Sequence, residues 1–137
     1  MVGYSATPLV AKLGIKSNFR LYTKNAPEFY IEYLENLSDD LHILKRISKD
    51  LDLIHIFTNS RKELAEEIPK YIKFIKQTGM IWVSWPKKAS KLPSDITEDV
   101  IRAVILPLGL VDVKVCAVDD VWSGLKLVIR RENRKKS

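Results

Sequence analysis

Two ammonium groups, two hydroxyls and an indole fall within the seven residues Ser84-Trp85-Pro86-Lys87-Lys88-Ala89-Ser90. Phosphates and carboxylates are recognised by such donors, and a tryptophan face stacks on a base or holds a cation. A plainer role is also open: Lys87 and Lys88 solvated, with the tryptophans filling core gaps beside a sheet. A second group, Trp122-Ser123-Gly124 followed by Lys126, either closes a pocket from the other side or forms a tight hairpin turn pinned by Trp122. Asn25, Asn59 and Ser60 are further polar residues at breaks between apolar runs.

Residues for covalent or acid–base catalysis are scarce. His42 lies among apolar residues and His55 in a nearly all-apolar run, so both read as strand residues rather than bases. Cys116 sits mid-strand with no histidine near it in sequence, as a small hydrophobe would. Asp119 and Asp120 are adjacent and point different ways, while Glu98 and Asp99 open a helix, where the dipole favours negative charge. No metal-ligand spacing occurs, no nucleophile–base–orienter set can be assembled, and no cofactor is expected. If the chain is an enzyme, Asp119 is the nearest titratable candidate.

Length and composition fit one domain of 137 residues with 46% apolar and 29% charged residues. No run approaches the roughly eighteen apolar residues of a membrane span. Met1-Val2-Gly3-Tyr4-Ser5 has no basic region leading into an apolar one, so no secretory leader is expected. The single cysteine leaves no internal disulfide, and a cytoplasmic setting follows as the expectation. Of the formal charge of +6, residues 130–137 hold five cations (Arg130, Arg131, Arg134, Lys135, Lys136) against Glu132, a net of +4 that leaves +2 elsewhere. A frayed basic tail over 130–137 after a single domain over 1–129 is the expected organisation. Such a tail gives salt-dependent, unselective affinity for nucleic acid.

The elements that must position these residues alternate strand and helix. Thr7 can cap a short first helix, with Pro8 at its first position and Gly14 at its end. Phe19 to Thr23 reads as a strand, and Asn25-Ala26-Pro27 opens a helix carrying Tyr30, Tyr33, Leu34 and Leu37 at helical spacing. Leu41 to Leu44 and Leu51 to Thr58 are the next strands, the latter apolar enough to be covered on both faces. Only Ile47 to Asp50 separate them, too few for a helical crossover. They are expected either to flank the first strand through a stretched connection or to pair antiparallel.

Ser60 and Glu63 form a capping box for a helix running through Ile75 to Gly79, with a kink or break at Pro69. Met80 to Trp85 follows as a buried strand. Asp95 with Glu98 predicts the next helix start, and Pro107 with Gly109 its stop. The alternation of Val111, Val113 and Val115, then of Gly124 to Arg130 after a turn at Asp119 to Ser123, predicts an antiparallel hairpin. The fold class is therefore α/β: a three-layer, Rossmann-like domain whose sheet is mostly parallel, with a C-terminal antiparallel hairpin.

That final order of strand, helix, buried strand, helix and hairpin resembles the second half of a methyltransferase domain. Such enzymes carry a glycine-rich turn after the first strand and an acidic residue near the end of the second. Here those places hold Asn25-Ala26-Pro27 and Leu44-Lys45-Arg46, which implies a trimmed relative without the S-adenosylmethionine site. A second resemblance covers most of the chain. Gly3-Tyr4-Ser5, Thr7-Pro8-Leu9, Lys12-Leu13-Gly14, Trp82 to Ser90, Thr97-Glu98-Asp99-Val100, Gly109 to Val118 and Trp122-Ser123-Gly124-Leu125-Lys126 are similar to a family of short bacterial proteins classed as a domain of unknown function. It implies the fold and a bacterial cytoplasmic setting, and hands over no catalytic residue.

Ligands of open parallel sheets bind at the carboxyl ends of the strands. Asn25, Ser84, Trp85, Lys87, Lys88, Ser90, Trp122, Ser123 and Lys126 are all expected on that rim. The leading expectation is a non-catalytic binding domain whose rim takes a small anion or an acidic protein segment. A divergent transferase using the same rim, and a regulatory protein touching nucleic acid through its basic tail, are the alternatives.

Overall fold

The structure, a computed structural model, describes residues 9–37 and 40–135. Six strands form one sheet in the order β2-β1-β3-β4-β6-β5. They span Arg20–Lys24 (β1), His42–Leu44 (β2), Leu51–Phe57 (β3), Ile75–Pro86 (β4), Leu110–Ala117 (β5) and Trp122–Ile129 (β6). The first four run parallel; β6 is antiparallel to both β4 and β5. The antiparallel strand thus lies inside the sheet, and β5 takes the edge. Helices α1 (Leu9–Leu13) and α2 (Glu28–Glu35) cover one face; α3 (Arg61–Tyr71) and α4 (Glu98–Ile105) cover the other. This is the expected three-layer α/β arrangement, with apolar residues alternating between two cores. Ile54, Ile56, Ile81, Val83 and Trp85 point to α3 and α4, whereas Leu53, Phe57, Met80 and Trp82 point to α1 and α2.

The short join between β2 and β3 takes the stretched route. β2 pairs only with the start of β1, so Leu44 stands level with both Tyr22 and Ile54. Reaching Leu51 then means descending three residues and crossing two strand spacings, roughly 14 Å. Six extended residues reach about 20 Å. Ile47 packs under α3 on the way, and Arg20 pins the passage by donating from Nη2 to Ser48 Oγ at 2.8 Å and to the Lys49 carbonyl at 3.3 Å.

Two helix boundaries differ from expectation. α3 starts where predicted, with Ser60 Oγ accepting from the Glu63 N–H at 3.2 Å, but it ends at Tyr71 rather than Gly79. Pro69 lies inside its last turn, a 3-10 turn over Ile72–Phe74 follows, and β4 begins at Ile75. The apolar spacing of Tyr71, Ile72 and Ile75 fits both a helix and a turn entering a strand, and the proline decides for the second. The start of α4 also shifts. Thr97 is its cap, accepting from the Val100 N–H at 3.1 Å, while Asp95 Oδ1 accepts instead from the Arg61 N–H at 2.6 Å. Thr97→Ala is accordingly expected to cost about 1 kcal/mol in chemical denaturation. Asp95→Ala should leave α4 itself capped. The proposed cap at Thr7 and the Pro8 position lie outside the described residues.

Candidate functional site

The carboxyl ends of β1, β3 and β4 and the start of β6 lie along one rim, and the predicted residues divide across it. β4 and β6 pair Trp85 with Ser123, Pro86 with Trp122 and Ser84 with Gly124. Lys87 continues this ladder, its N–H donating to the Val121 carbonyl at 2.7 Å. Ser90 Oγ donates to the Lys87 carbonyl at 2.7 Å, folding Lys88–Ser90 into a 3-10 turn. Asp119 builds the facing turn, its Oδ1 accepting from the Val121 and Trp122 N–H groups. Lys87, Lys88, Ser90, Trp122 and Ser123 therefore share the end of the β4–β6 ribbon, with Lys88 exposed and Lys87 half-buried.

Three predicted residues stand apart. Trp85 is 8% exposed and points into the core beneath α3 and α4, whereas Trp122 lies on the opposite face, edge-on to Phe57 at 5.2 Å. The two indoles cannot line one pocket because adjacent ladder positions face opposite sides of a sheet. Lys126 pairs with Trp82, four residues below the rim, roughly 13 Å down the strand. It sits half-buried opposite Lys114 on the neighbouring strand, and desolvation together with Lys114 and Lys16 holds its pKa below the usual lysine value. Asn25 stands two strands from β4, in left-handed backbone at φ 58°, its Nδ2 3.4 Å from Glu63 Oε1.

Sequence reasoning missed a fully buried polar group that joins three elements. His55 is fully buried in β3. Its Nδ1 lies 2.7 Å from Tyr30 Oη, and its Nε2 lies 2.7 Å from Ser84 Oγ. Burial pushes its pKa down to about 3, so the imidazole is neutral at pH 7. It raises the Tyr30 phenol well above its usual value. Phe57 stacks on the imidazole at 4.3 Å, and Tyr30 meets it edge-on at 4.7 Å. A serine, a histidine and a third hydrogen-bonding group at these distances are the parts of an activated nucleophile. Here all three side chains are fully buried, so no substrate reaches Ser84 Oγ. A Cβ on Gly124 would stand 3.2 to 3.3 Å from Trp82, Ser84 Oγ and Val118, so the neighbouring strand packs closely beside this serine. The chain is a polar strut joining α2, β3 and β4. One signal was available: a histidine inside an all-apolar strand needs two hydrogen-bond partners.

Other groups that could carry chemistry are tied down or isolated. His42 is exposed at the start of β2. Cys116 is half-buried against the α1–α2 core, where burial raises its thiol pKa against the pull of Lys12 and Lys114. Among the described residues there is no group of three His, Cys, Asp or Glu side chains fit to hold a metal ion. No helix among them is long and apolar enough to cross a membrane.

No protein-family model matches the chain, and no curated protein matches it in sequence. Its fold, however, is shared with solved methyltransferase structures. A SAM-dependent methyltransferase from Aquifex aeolicus superposes with a TM-score of 0.64 at 15% identity, covering 88% of this chain and 87% of that one. The ribosomal protein L11 methylase from Lactobacillus delbrueckii subsp. bulgaricus gives 0.60 at 11%, covering 90% and 76%. Fibrillarin from Aeropyrum pernix, solved with natively bound S-adenosyl-L-methionine, gives 0.54 at 11%, covering 88% and 73%. These likenesses establish a Rossmann-like, methyltransferase-type fold over most of the chain.

The cofactor of those neighbours finds a poor cradle here. Lys24 to Glu28 between β1 and α2 contains no glycine, so side chains stand where a backbone would approach a ligand. Pro27 immediately precedes the first residue of α2, has no N–H to offer, and supplies no side-chain cap. β2 ends against the exposed cations Lys45 and Arg46, where a ribose would be met by a carboxylate. The residues present do not fit S-adenosylmethionine at this turn.

Proposed function

We propose that the chain is a non-catalytic binding domain built on a methyltransferase scaffold, holding a small anion at the end of the β4–β6 ribbon through Lys87 and Lys88. The observation that carries this reading is a division of labour at the rim. The groups able to do chemistry, His55, Ser84 and Tyr30, are consumed in the core. The two ammonium groups sit at the mouth of the ribbon, in none of the salt bridges found among the described residues. Ser123 and the Lys88–Ser90 turn add hydroxyls beside them. An acidic segment of a partner protein is the other ligand such a pair suits. The tryptophan-rich strings support membership of the bacterial family named above and a cytoplasmic setting.

The test is a thermal-shift screen of inorganic anions, carboxylates and nucleotides at fixed ionic strength, with Lys87→Ala/Lys88→Ala beside the wild type. An anion at a hundred times its dissociation constant adds about 2.7 kcal/mol of stability. A shift confined to the wild type supports the reading. A screen in which no compound shifts the wild type more than the variant contradicts it.

A divergent transferase is the second reading. The fold likeness favours it, as does a cavity of about 320 Å³ beside the ends of β1 and β2, bounded by Thr23, Ile31, Glu35, Ile43, Leu44 and Lys45.

A further inference from the structure

A cationic hollow lies at the other end of the sheet from the rim. Lys49, Lys73, Lys76, Arg134 and Lys135, all exposed, border a cavity of about 730 Å³ with Asp50 as the single carboxylate. They come from three stretches far apart in sequence: the β2–β3 connection, the turn into β4 with the start of that strand, and the chain beyond β6. Convergence of this kind is a property of the fold rather than of the basic tail alone.

The walls are built. Between the pairs Leu51–Ile75 and Leu53–Met80, four residues of β4, Lys76 to Gly79, oppose the single residue Asp52 of β3. This irregularity throws Lys76, Gln77 and Thr78 out of the ladder and into the cavity wall. Gly79 lets the strand return, since a Cβ there would sit 2.9 Å from the Leu51 carbonyl oxygen. Asp52 anchors the bulge, pairing with Lys76 Nζ at 3.0 Å and accepting from the Arg20 N–H at 2.8 Å. On the far wall, Gln77 Oε1 accepts from the Lys135 N–H at 2.8 Å and Arg134 Nε donates to the Ile129 carbonyl at 3.0 Å. The last basic residues described are thereby held in place, with the Arg134 Nη groups and the Lys73 and Lys135 ammonium groups in none of the salt bridges of the described residues.

A second cavity of about 410 Å³ adjoins the first, sharing Lys73, Ile75, Gln77 and Lys135. Its remaining wall is largely aliphatic, with Ile72, Leu108, Leu110 and Ile129 beside the carboxamide of Asn133. A trough with a cationic half and an apolar half ending in an amide matches a ligand with phosphate at one end and a flat heterocycle at the other.

We propose that this amino-end trough binds a nucleoside phosphate, its phosphates among Lys49, Lys73, Arg134 and Lys135 and its base against Ile72 and Leu108. The unit is either a free nucleotide or one residue of a nucleic-acid strand crossing the trough. The proposal is independent of the anion at the carboxyl rim, which lies at the opposite end of the strands.

Two probes distinguish the sources: ADP in a thermal-shift titration, and a fluorescein-labelled single-stranded RNA 12-mer in anisotropy, each with inorganic phosphate as competitor. The variants are Lys73→Glu/Lys135→Glu and, separately, Leu108→Glu. Their side chains are exposed, so unchanged circular dichroism is expected. Binding of either probe should weaken on the order of tenfold or more in both variants and persist in Lys87→Ala/Lys88→Ala. ADP binding identifies a free nucleotide; RNA binding alone, weakening by about 0.7 log units per contacted phosphate for each tenfold rise in salt, identifies a strand. Failure of both probes, equal binding by wild type and variants, or, where ADP does bind, an affinity no greater than that for phosphate overturns the proposal.

Discussion

Replacing Trp82 by alanine is expected to lower the unfolding free energy by about 3–5 kcal/mol, read as a fall in denaturation midpoint at unchanged slope. Trp82 is fully buried at the centre of the α1–α2 face and is among the largest side chains enclosed there. Its indole N–H donates to the Leu13 carbonyl at 3.0 Å, satisfying an acceptor at the C-terminal end of α1. Truncation therefore opens a cavity and orphans a helix terminus at the same time. Since α1 has only five residues, that contact is a main tie between it and the sheet. Trp82→Phe should cost clearly less, because most of the volume stays and only the hydrogen bond goes. Equal losses for the two variants would mean that the hydrogen bond, not packing, dominates.

The second large effect is a pH dependence set by His55. The imidazole's folded pKa of about 3 lies below its ordinary 6.5, the cause being burial. Between those two values the unfolded chain takes up a proton that the folded chain refuses. The stability contributed by the neutral imidazole is thus fully present above pH 6.5 and is lost progressively as pH falls toward 3. The limiting slope is about 1.4 kcal/mol per pH unit. Carboxylates also titrate in the lower part of this window, so the informative quantity is the difference between wild type and His55→Gln across pH 4 to 7. The variant is expected to be less stable at pH 7, because the hydrogen bonds to Tyr30 and Ser84 are disturbed, and to lose less on acidification. Parallel curves would mean that His55 is accessible to protons in the folded state.

Much of the fold was legible because local signals agreed with tertiary demands. The near-continuous apolar run of β3 announced a strand covered on both faces, and Pro27 and Ser60 marked the starts of α2 and α3. The errors fell where one local pattern served two structures. Ile72 to Ile75 suits a helix or a turn entering a strand, and Asp95 and Thr97 are both good caps, decided by the bond Asp95 makes to Arg61. The candidate site was legible only in part. Lys87, Lys88, Trp122 and Ser123 lie at one end of the ribbon, since they end paired strands. Trp85 and Lys126 diverge from them because face and depth depend on register, which pairs Trp85 with Ser123 and Trp82 with Lys126. The amino-end trough depends on a four-residue bulge and on chain returning from beyond β6, and neither leaves a periodic trace in sequence.

A methyltransferase-type fold whose β1–α2 turn does not fit S-adenosylmethionine should not bind that cofactor. Isothermal titration calorimetry with S-adenosylmethionine and S-adenosylhomocysteine tests it most directly. No saturable heat is expected with either compound up to millimolar concentration, in a protein whose thermal unfolding remains cooperative. Micromolar binding of either, lost on replacing Glu35 beside the cavity at the ends of β1 and β2, would contradict it and turn the reading to a transferase.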